Sequence, residues 1–196
     1  MPHDRSVPEG LAALEARIAR DLARINYPAI DWVKPKYDAG GDRLLDVAIV
    51  GGGQGGLVAA FGLMRERVRH IAVFDRMPAG REGPWRAYAR MLTLRSPKST
   101  TGPDLDLPNL TVQAWYEAQH GTEAWAALNK VPTAAWADYL AWYRRVLGIP
   151  VVSETEVTAI EPDGGHLRLR LRDAGGERAV RARKVVLATG IESSGR

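Results

Sequence analysis

Six consecutive residues, Gly51-Gly52-Gly53-Gln54-Gly55-Gly56, concentrate the chemistry of this chain. An apolar run over 44–50 precedes them and a second, over 57–64, follows. Strand, G-x-G-x-x-G turn and apolar helix, in that order, build an anion site from backbone alone. Gly51 lets the chain turn tightly off the strand. Gly53 has no Cβ to block an approaching phosphate, and Gly56 lets the helix pack close to the sheet. The helix N-terminus adds N–H groups without intrahelical partners and a partial positive charge, so Gln54 and Gly55 join the same set. The matching ligand is a dinucleotide pyrophosphate.

A carboxylate follows at the right distance. His70-Ile71-Ala72-Val73-Phe74-Asp75 predicts a second short strand, and Asp75 comes 24 residues after Gly51, near the expected offset of about 20. Such a carboxylate accepts both hydroxyls of an adenosine ribose and repels a 2′-phosphate. The alternative is that Asp75 only ends its strand as a turn residue. Arg76 reads as a solvated loop residue or as a phosphate or adenine contact.

Composition removes other chemistries. Cysteine is absent from the 196 residues, which excludes disulfides, thiolate nucleophiles and Cys-ligated metals. The four histidines, His3, His70, His120 and His166, show no metal-ligand spacing on one element, so no metal site is expected. No apolar run nears the roughly 18 to 20 residues that span a bilayer. The N-terminal residues show no signal pattern, which predicts a cytoplasmic protein without a membrane partner. The net charge of +4 comes from an arginine-rich composition. Its densest group, Arg168, Arg170, Arg172, Arg178, Arg181 and Arg183, alternates with apolar residues as on a solvated sheet face, and no nucleic-acid motif accompanies it.

Several elements must position the glycine turn. Ser6-Val7-Pro8-Glu9 reads as a capping box, and Leu11, Leu14, Ile18, Leu22 and Ile25 predict an amphipathic helix over 7–25. Its stripe either packs on the rest of the chain or serves a partner or a second copy. Residues 27–37 predict an extended arm, so residues 1–43 form an N-terminal extension and 44–196 the nucleotide fold. A long loop over 77–108 has the Gly, Pro and Ser content of a functional segment. A helical, aromatic region over 113–128 and a helix from Thr133 to Gly148 follow, with their tryptophans expected in the core. The tail predicts a short strand at 149–152, a meander over 154–160, 167–171 and 177–180, and a last buried strand over 184–188.

A βαβ start, a meander and a strand ending Ala188-Thr189-Gly190 together resemble the FAD domain of two-dinucleotide-domain flavoproteins. Within that group the chain is similar to the class B flavin monooxygenases: flavin-containing, Baeyer–Villiger and N-hydroxylating enzymes. Gly83-Pro84-Trp85 resembles their Gly-Gly-x-Trp-like segment beside the flavin, and Leu94-Arg95-Ser96-Pro97-Lys98 their segment near the isoalloxazine ring. Ala188-Thr189-Gly190 is similar to the crossing into their NADPH domain. The resemblance covers about residues 44–196.

It implies an α/β, Rossmann-like, three-layer FAD domain with an antiparallel meander, in an NAD(P)H- and O2-dependent monooxygenase. It also implies that Gly51, Gly53 and Gly56 hold the FAD pyrophosphate, with Gln54 and Gly55 in the same turn, and that Asp75 holds the ribose. Trp85, Ser96 and Lys98 would approach the flavin or its ribityl chain, Val157 the adenine, and Thr189 and Gly190 complete the set. The alternative for Trp85 is ordinary packing, and for Lys98 a solvated loop charge, the ordinary state of a loop lysine. The family's second glycine fingerprint does not occur in these 196 residues. The chain is therefore expected to be incomplete at its C-terminus, either as a portion of a longer protein or as one subunit of a split flavoprotein whose complementary polypeptide carries the NAD(P)H domain. No nucleophile or acid–base pair stands out, so no catalytic residue is assigned. Three alternatives stay open: a non-catalytic nucleotide-binding or interaction module, a disulfide reductase portion that the lack of Cys argues against, and an NAD-dependent dehydrogenase.

Overall fold

The computed structural model describes residues 9–100 and 102–190. In chain order the elements are α1 (Leu11–Arg24), β1 (Leu45–Val50), α2 (Gln54–Arg65), β2 (Ile71–Phe74), a 3₁₀ turn (Pro108–Leu110), α3 (Val112–His120), α4 (Thr122–Ala127), α5 (Thr133–Val146), β3 (Val151–Val152), β4 (Glu156–Asp163), β5 (His166–Asp173) and β6 (Gly176–Leu187). They form two compact units, each made from two stretches of chain. One comprises Tyr27–Tyr88 and Leu147–Arg196, the other Met1–Asn26 and Ala89–Val146.

The first unit is a six-stranded sheet ordered β3-β2-β1-β6-β5-β4. β1 runs parallel to both β2 and β6, and β2 parallel to β3, while β4, β5 and β6 form an antiparallel meander. A central parallel strand is covered on both faces, which is why β1 reads as an almost continuous apolar run. Its exception, Asp46, is 5% exposed and accepts a 2.9 Å hydrogen bond from Arg183 on β6. The sheet core gathers Ala48, Phe74, Leu169, Leu171 and Ala182 from four strands.

The expected strands over 177–180 and 184–188 are one strand. The first half of β6 pairs with β5, ending at Leu167↔Ala182, and the second half pairs with β1 from Leu45↔Ala182 onward. The arginine alternation of the tail lies on an ion-paired sheet surface, with Arg170–Glu161 at 2.8 Å, Arg172–Glu156 at 2.6 Å and Arg178–Asp173 at 3.1 Å. The arm of residues 27–37 is tied to the end of α2 by polar contacts. Trp32 Nε1 donates to the Glu66 carbonyl at 2.7 Å and Arg67 Nε to the Pro28 carbonyl at 2.9 Å.

The second unit is helical. Leu14 and Ile18 of α1 are buried in it, so its stripe packs on the same chain. Polar groups fix the docking: Trp142 Nε1 donates to Glu15 at 3.0 Å, Arg145 to the same carboxylate at 2.5 Å, and Gly10 N–H to the Ala118 carbonyl at 2.8 Å. These donors, Arg145 foremost, hold the Glu15 carboxyl below the usual carboxylate range. α1 starts at Leu11 after Gly10, four residues later than expected. Ser6 and Pro8 of the expected capping box lie outside the described residues, and Glu9 pairs with Arg17. The expected helical region 113–128 divides into α3 and α4 at Gly121, whose φ of 85° an α-helix cannot contain. Trp115, Trp125, Trp136 and Trp142 are all core residues. Trp115, Trp136 and Trp142 surround Tyr139, whose hydroxyl donates to the Leu110 carbonyl at 2.6 Å. Burial pushes the Tyr139 phenol well above its usual pKa.

The packing of α2 on β1 yields a sharp contrast between neighbouring glycines. A Cβ on Gly56 would stand 1.8 Å from the Gly51 carbonyl oxygen, whereas one on Gly55 has its nearest neighbour at 4.0 Å. Gly56→Ala is expected to lower the urea midpoint by an amount equivalent to about 3 kcal/mol or more, since backbone cannot yield to it. Gly55→Ala should hold or gain up to about 1 kcal/mol from helix propensity. Equal midpoints for the two variants would refute this packing.

Candidate dinucleotide-binding site

The glycine turn leaves β1 where four chain segments meet. Gly51 N–H donates to the Phe74 carbonyl and Ala188 N–H to the Val50 carbonyl, both at 2.8 Å, so β2, β1 and the end of β6 are locked side by side. Gly51 has φ +106°, and a Cβ there would meet the Ala188 carbonyl oxygen at 2.5 Å. Both the left-handed backbone and the close approach demand glycine. Gly53 is the N-cap of α2 and contributes no side-chain cap. The first-turn N–H groups of α2 (Gln54, Gly55, Gly56) thus point past a residue without side chain, as an anion site requires. No acidic side chain occupies that turn.

Asp75 is 8% exposed and joins the turn to the next loop. Its Oδ2 accepts the Gly52 N–H at 2.6 Å and its Oδ1 the Met77 N–H at 2.7 Å. Each oxygen retains lone-pair capacity for a further donor, so the carboxylate can brace the turn and still receive a ribose hydroxyl. The chain returns past it between β3 and β4: Asp75 N–H donates to the Val152 carbonyl at 3.0 Å, and Thr155 N–H to the Asp75 carbonyl at 2.8 Å. Val157 follows two residues later, half-buried against the sheet core, at a register shift between β4 and β5. Arg76 is exposed beside Asp75.

Gly83 and Trp85 belong to the same unit. The Gly83 Cα lies 3.5 Å from where a Gly53 Cβ would stand, and the Trp85 ring lies 3.8 Å from a Gly83 Cβ. Thr189 and Gly190 follow Ala188 at the edge of the turn, Gly190 with φ +68°. Gly51, Gly53, Gln54, Gly55, Gly56, Asp75, Arg76, Trp85, Val157, Thr189 and Gly190 all belong to the sheet unit. Ser96 and Lys98 belong to the helical unit. There Lys98 Nζ donates to the carbonyls of Trp125 and Ala126 at 2.8 and 3.1 Å, and sits 5.3 Å from the centroid of the Trp125 ring. A cation at the carbonyl end of α4 is well placed electrostatically. Sequence reading missed the Gly52–Asp75 bond and the Gly53–Gly83 contact; Gly83 itself was visible as the residue opening the Gly-Pro-Trp segment. Among the described residues no group of His, Asp and Glu could hold a metal, and no helix is long and apolar enough to cross a membrane.

A family profile described as FAD-NAD(P)-binding matches residues 48–192. The chain belongs to this family. Its cofactor is FAD. It is 49% identical over 185 residues to the FAD-dependent urate hydroxylase of Xanthomonas campestris pv. campestris, a match covering 94% of this chain and 39% of that protein. Among solved structures it resembles a flavin-containing monooxygenase from Stenotrophomonas maltophilia, at 28% identity and a TM-score of 0.56, over 74% of this chain and 38% of the other. The ornithine N-hydroxylase of Kutzneria sp. 744 shares the fold, with a TM-score of 0.61 at 20% identity over 74% of this chain and 37% of that one. The chain therefore spans about two-fifths of the length of these relatives. Its sheet is the Rossmann-like sheet of FAD-binding flavoprotein domains.

Asp75→Asn tests the brace. An amide keeps one acceptor and turns its NH2 toward a backbone donor, so one buried N–H is left unsatisfied at a cost of about 1–3 kcal/mol. The cofactor-free variant is expected to unfold at correspondingly lower urea. An unchanged midpoint would remove the bracing role and leave Asp75 to the ligand alone.

Proposed function

We propose that this chain forms the FAD-binding part of a flavin-dependent hydroxylase that draws electrons from NAD(P)H and oxygen from O2. The observation that carries this is the 49% identity over 185 residues to a urate hydroxylase, in a chain whose glycine turn and buried acid have dinucleotide geometry. Gly51, Gly53, Gln54, Gly55 and Gly56 surround the pyrophosphate. Asp75 takes the ribose, with Arg76 beside it, and the Val157 backbone faces the adenine. Thr189 and Gly190 close the near side of the turn, and Trp85 lies toward the flavin. Lys98, in the helical unit with Ser96, spends two of its N–H groups on the α4 carbonyls.

FAD, when bound, supplies the redox and oxygen chemistry; the protein supplies position, charge and exclusion of water. That division suits a chain with no nucleophile or acid–base pair among its site residues. The sequence holds one G-x-G-x-x-G, used here for FAD. The NAD(P)H site then lies in residues beyond these 196, in the same polypeptide or a complementary one. Urate, or a heterocyclic anion like it, is the first substrate to try.

The test begins with the purified 196-residue chain, added FAD and a visible spectrum after removal of free flavin. A yellow, stoichiometric complex is expected. It should oxidise NADPH no faster than free flavin, and urate should stimulate oxidation only when the remaining part of the enzyme is supplied. A chain that stays colourless sinks the cofactor assignment. A yellow chain that never supports turnover with the remaining part leaves a non-catalytic nucleotide-binding module.

A further inference from the structure

The arm over 27–37 is held to the sheet unit by polar groups while its apolar side chains stay in water. The Pro28 carbonyl accepts from Arg67 Nε at 2.9 Å, and the Lys34 carbonyl from Arg183 at 3.3 Å. The Lys36 carbonyl takes the Leu44 N–H at 2.8 Å, and Asp31 pairs with Arg69 at 2.9 Å. Tyr27, Ile30, Trp32 and Tyr37 are meanwhile 59–82% exposed. Single exposed apolar residues are ordinary, but four within eleven positions are not scattered. With about 150–250 Å² for each aromatic side chain, the four leave roughly 500 Å² in water.

This surface is remote from the nucleotide site. β1 runs from Leu45, beside the arm, to Val50 at the glycine turn, a length of about 20 Å. α2 runs back from the turn and ends at Arg65, next to Glu66, whose carbonyl receives the Trp32 indole. The second half of β6 is parallel to β1 and delivers Ala188 to the turn, so residues following β6 also set out from the far end. The FAD-NAD(P)-binding profile begins at residue 48, after the arm. The urate hydroxylase match, 185 residues within 196, includes residues 12–185 wherever it starts. The arm thus lies in the region aligned with that protein but outside the cofactor profile.

Charge selects the partner. The exposed side chains around the arm are of both signs, Lys34, Lys36 and Arg69 against Asp31, Asp42 and Glu66. A lipid surface or a nucleic acid calls for a field of one sign. A two-fold pairing sets a patch against its own image and needs both. We propose that the arm is an isologous docking surface, on which Tyr27, Ile30, Trp32 and Tyr37 meet the same residues of a second copy of this chain. Two such patches together remove about 1,000 Å² from water, the lower limit for a specific interface. That area fits a reversible dimer with a dissociation constant on the order of micromolar. The pairing does not depend on the FAD assignment.

Sedimentation velocity of the 196-residue chain tests it, over concentrations from about 1 μM to about 100 μM that bracket such an affinity. Wild type is expected to pass from monomer to dimer in this range. It should do so equally at about 1 M salt, where exposed charges are screened and an apolar contact is not. Ile30→Lys and Tyr37→Ser should each weaken the dimer at least about tenfold. Leu92→Lys, at an exposed apolar residue of the helical unit, should match wild type. The chain has no cysteine, so Ile30→Cys gives a second reading with a smaller change. A short bismaleimide should link Ile30→Cys chains into dimers and leave Leu92→Cys chains monomeric. A wild type that stays monomeric throughout, or a dimer that both arm variants leave intact, would overturn the proposal. So would an Ile30→Cys thiol that becomes protected only when the remaining part of the enzyme is added, since that part would then be the occupant.

Discussion

No methyl group fits at Gly56, where α2 meets the turn that leaves β1. The Gly51 carbonyl lies so near the Gly56 Cα that the helix seats on the strand only as glycine, and this seating sets the position of everything else in the sheet unit. It aims the first-turn N–H groups of α2, places Gly53 at the helix cap and leaves Gly52 N–H directed at Asp75. The same turn is closed from the other side by the Ala188 carbonyl. The cradle is therefore defined by backbone contacts from both sides, and its shape does not depend on any mobile side chain. Such preorganisation lowers the ordering cost of binding a flexible dinucleotide.

Asp75 adds a second constraint of a different kind. In a turn held only by glycines the backbone is free to sample many conformations. A buried carboxylate with one backbone N–H on each oxygen removes that freedom while leaving acceptor capacity open. One residue can thereby order the empty turn and recognise the sugar.

Much of this was legible in the sequence. The flanking apolar runs, the glycine spacing and the acid after β2 are local signals, and each marked the element it belongs to. Signals failed where a partner, not a pattern, decided the outcome. The alternation of Arg178, Arg181 and Arg183 with apolar residues marks a strand but cannot say that its two halves pair with different neighbours in opposite senses. Helical periodicity over 113–128 persists across Gly121, although the backbone there adopts φ 85° and breaks the helix. Lys98 looked like a solvated charge or a ligand contact; the carbonyls it meets come from α4, whose end no motif announces. The Gly53–Gly83 approach joins residues 30 positions apart and leaves only two ordinary glycines as its trace.

β6 belongs to two pairings at once, an antiparallel one with β5 and a parallel one with β1. The first joins near neighbours in the chain, whereas the second joins Val50 to Leu187 across most of the sequence. Loop closure of that length is slow compared with hairpin formation. During vectorial synthesis the meander can fold soon after its residues emerge, but the wall that Ala188 gives the glycine turn arrives with the last described residues. The nucleotide cradle is therefore among the final features of the sheet to become competent, and a nascent chain offers its FAD partner no finished site until β6 has docked.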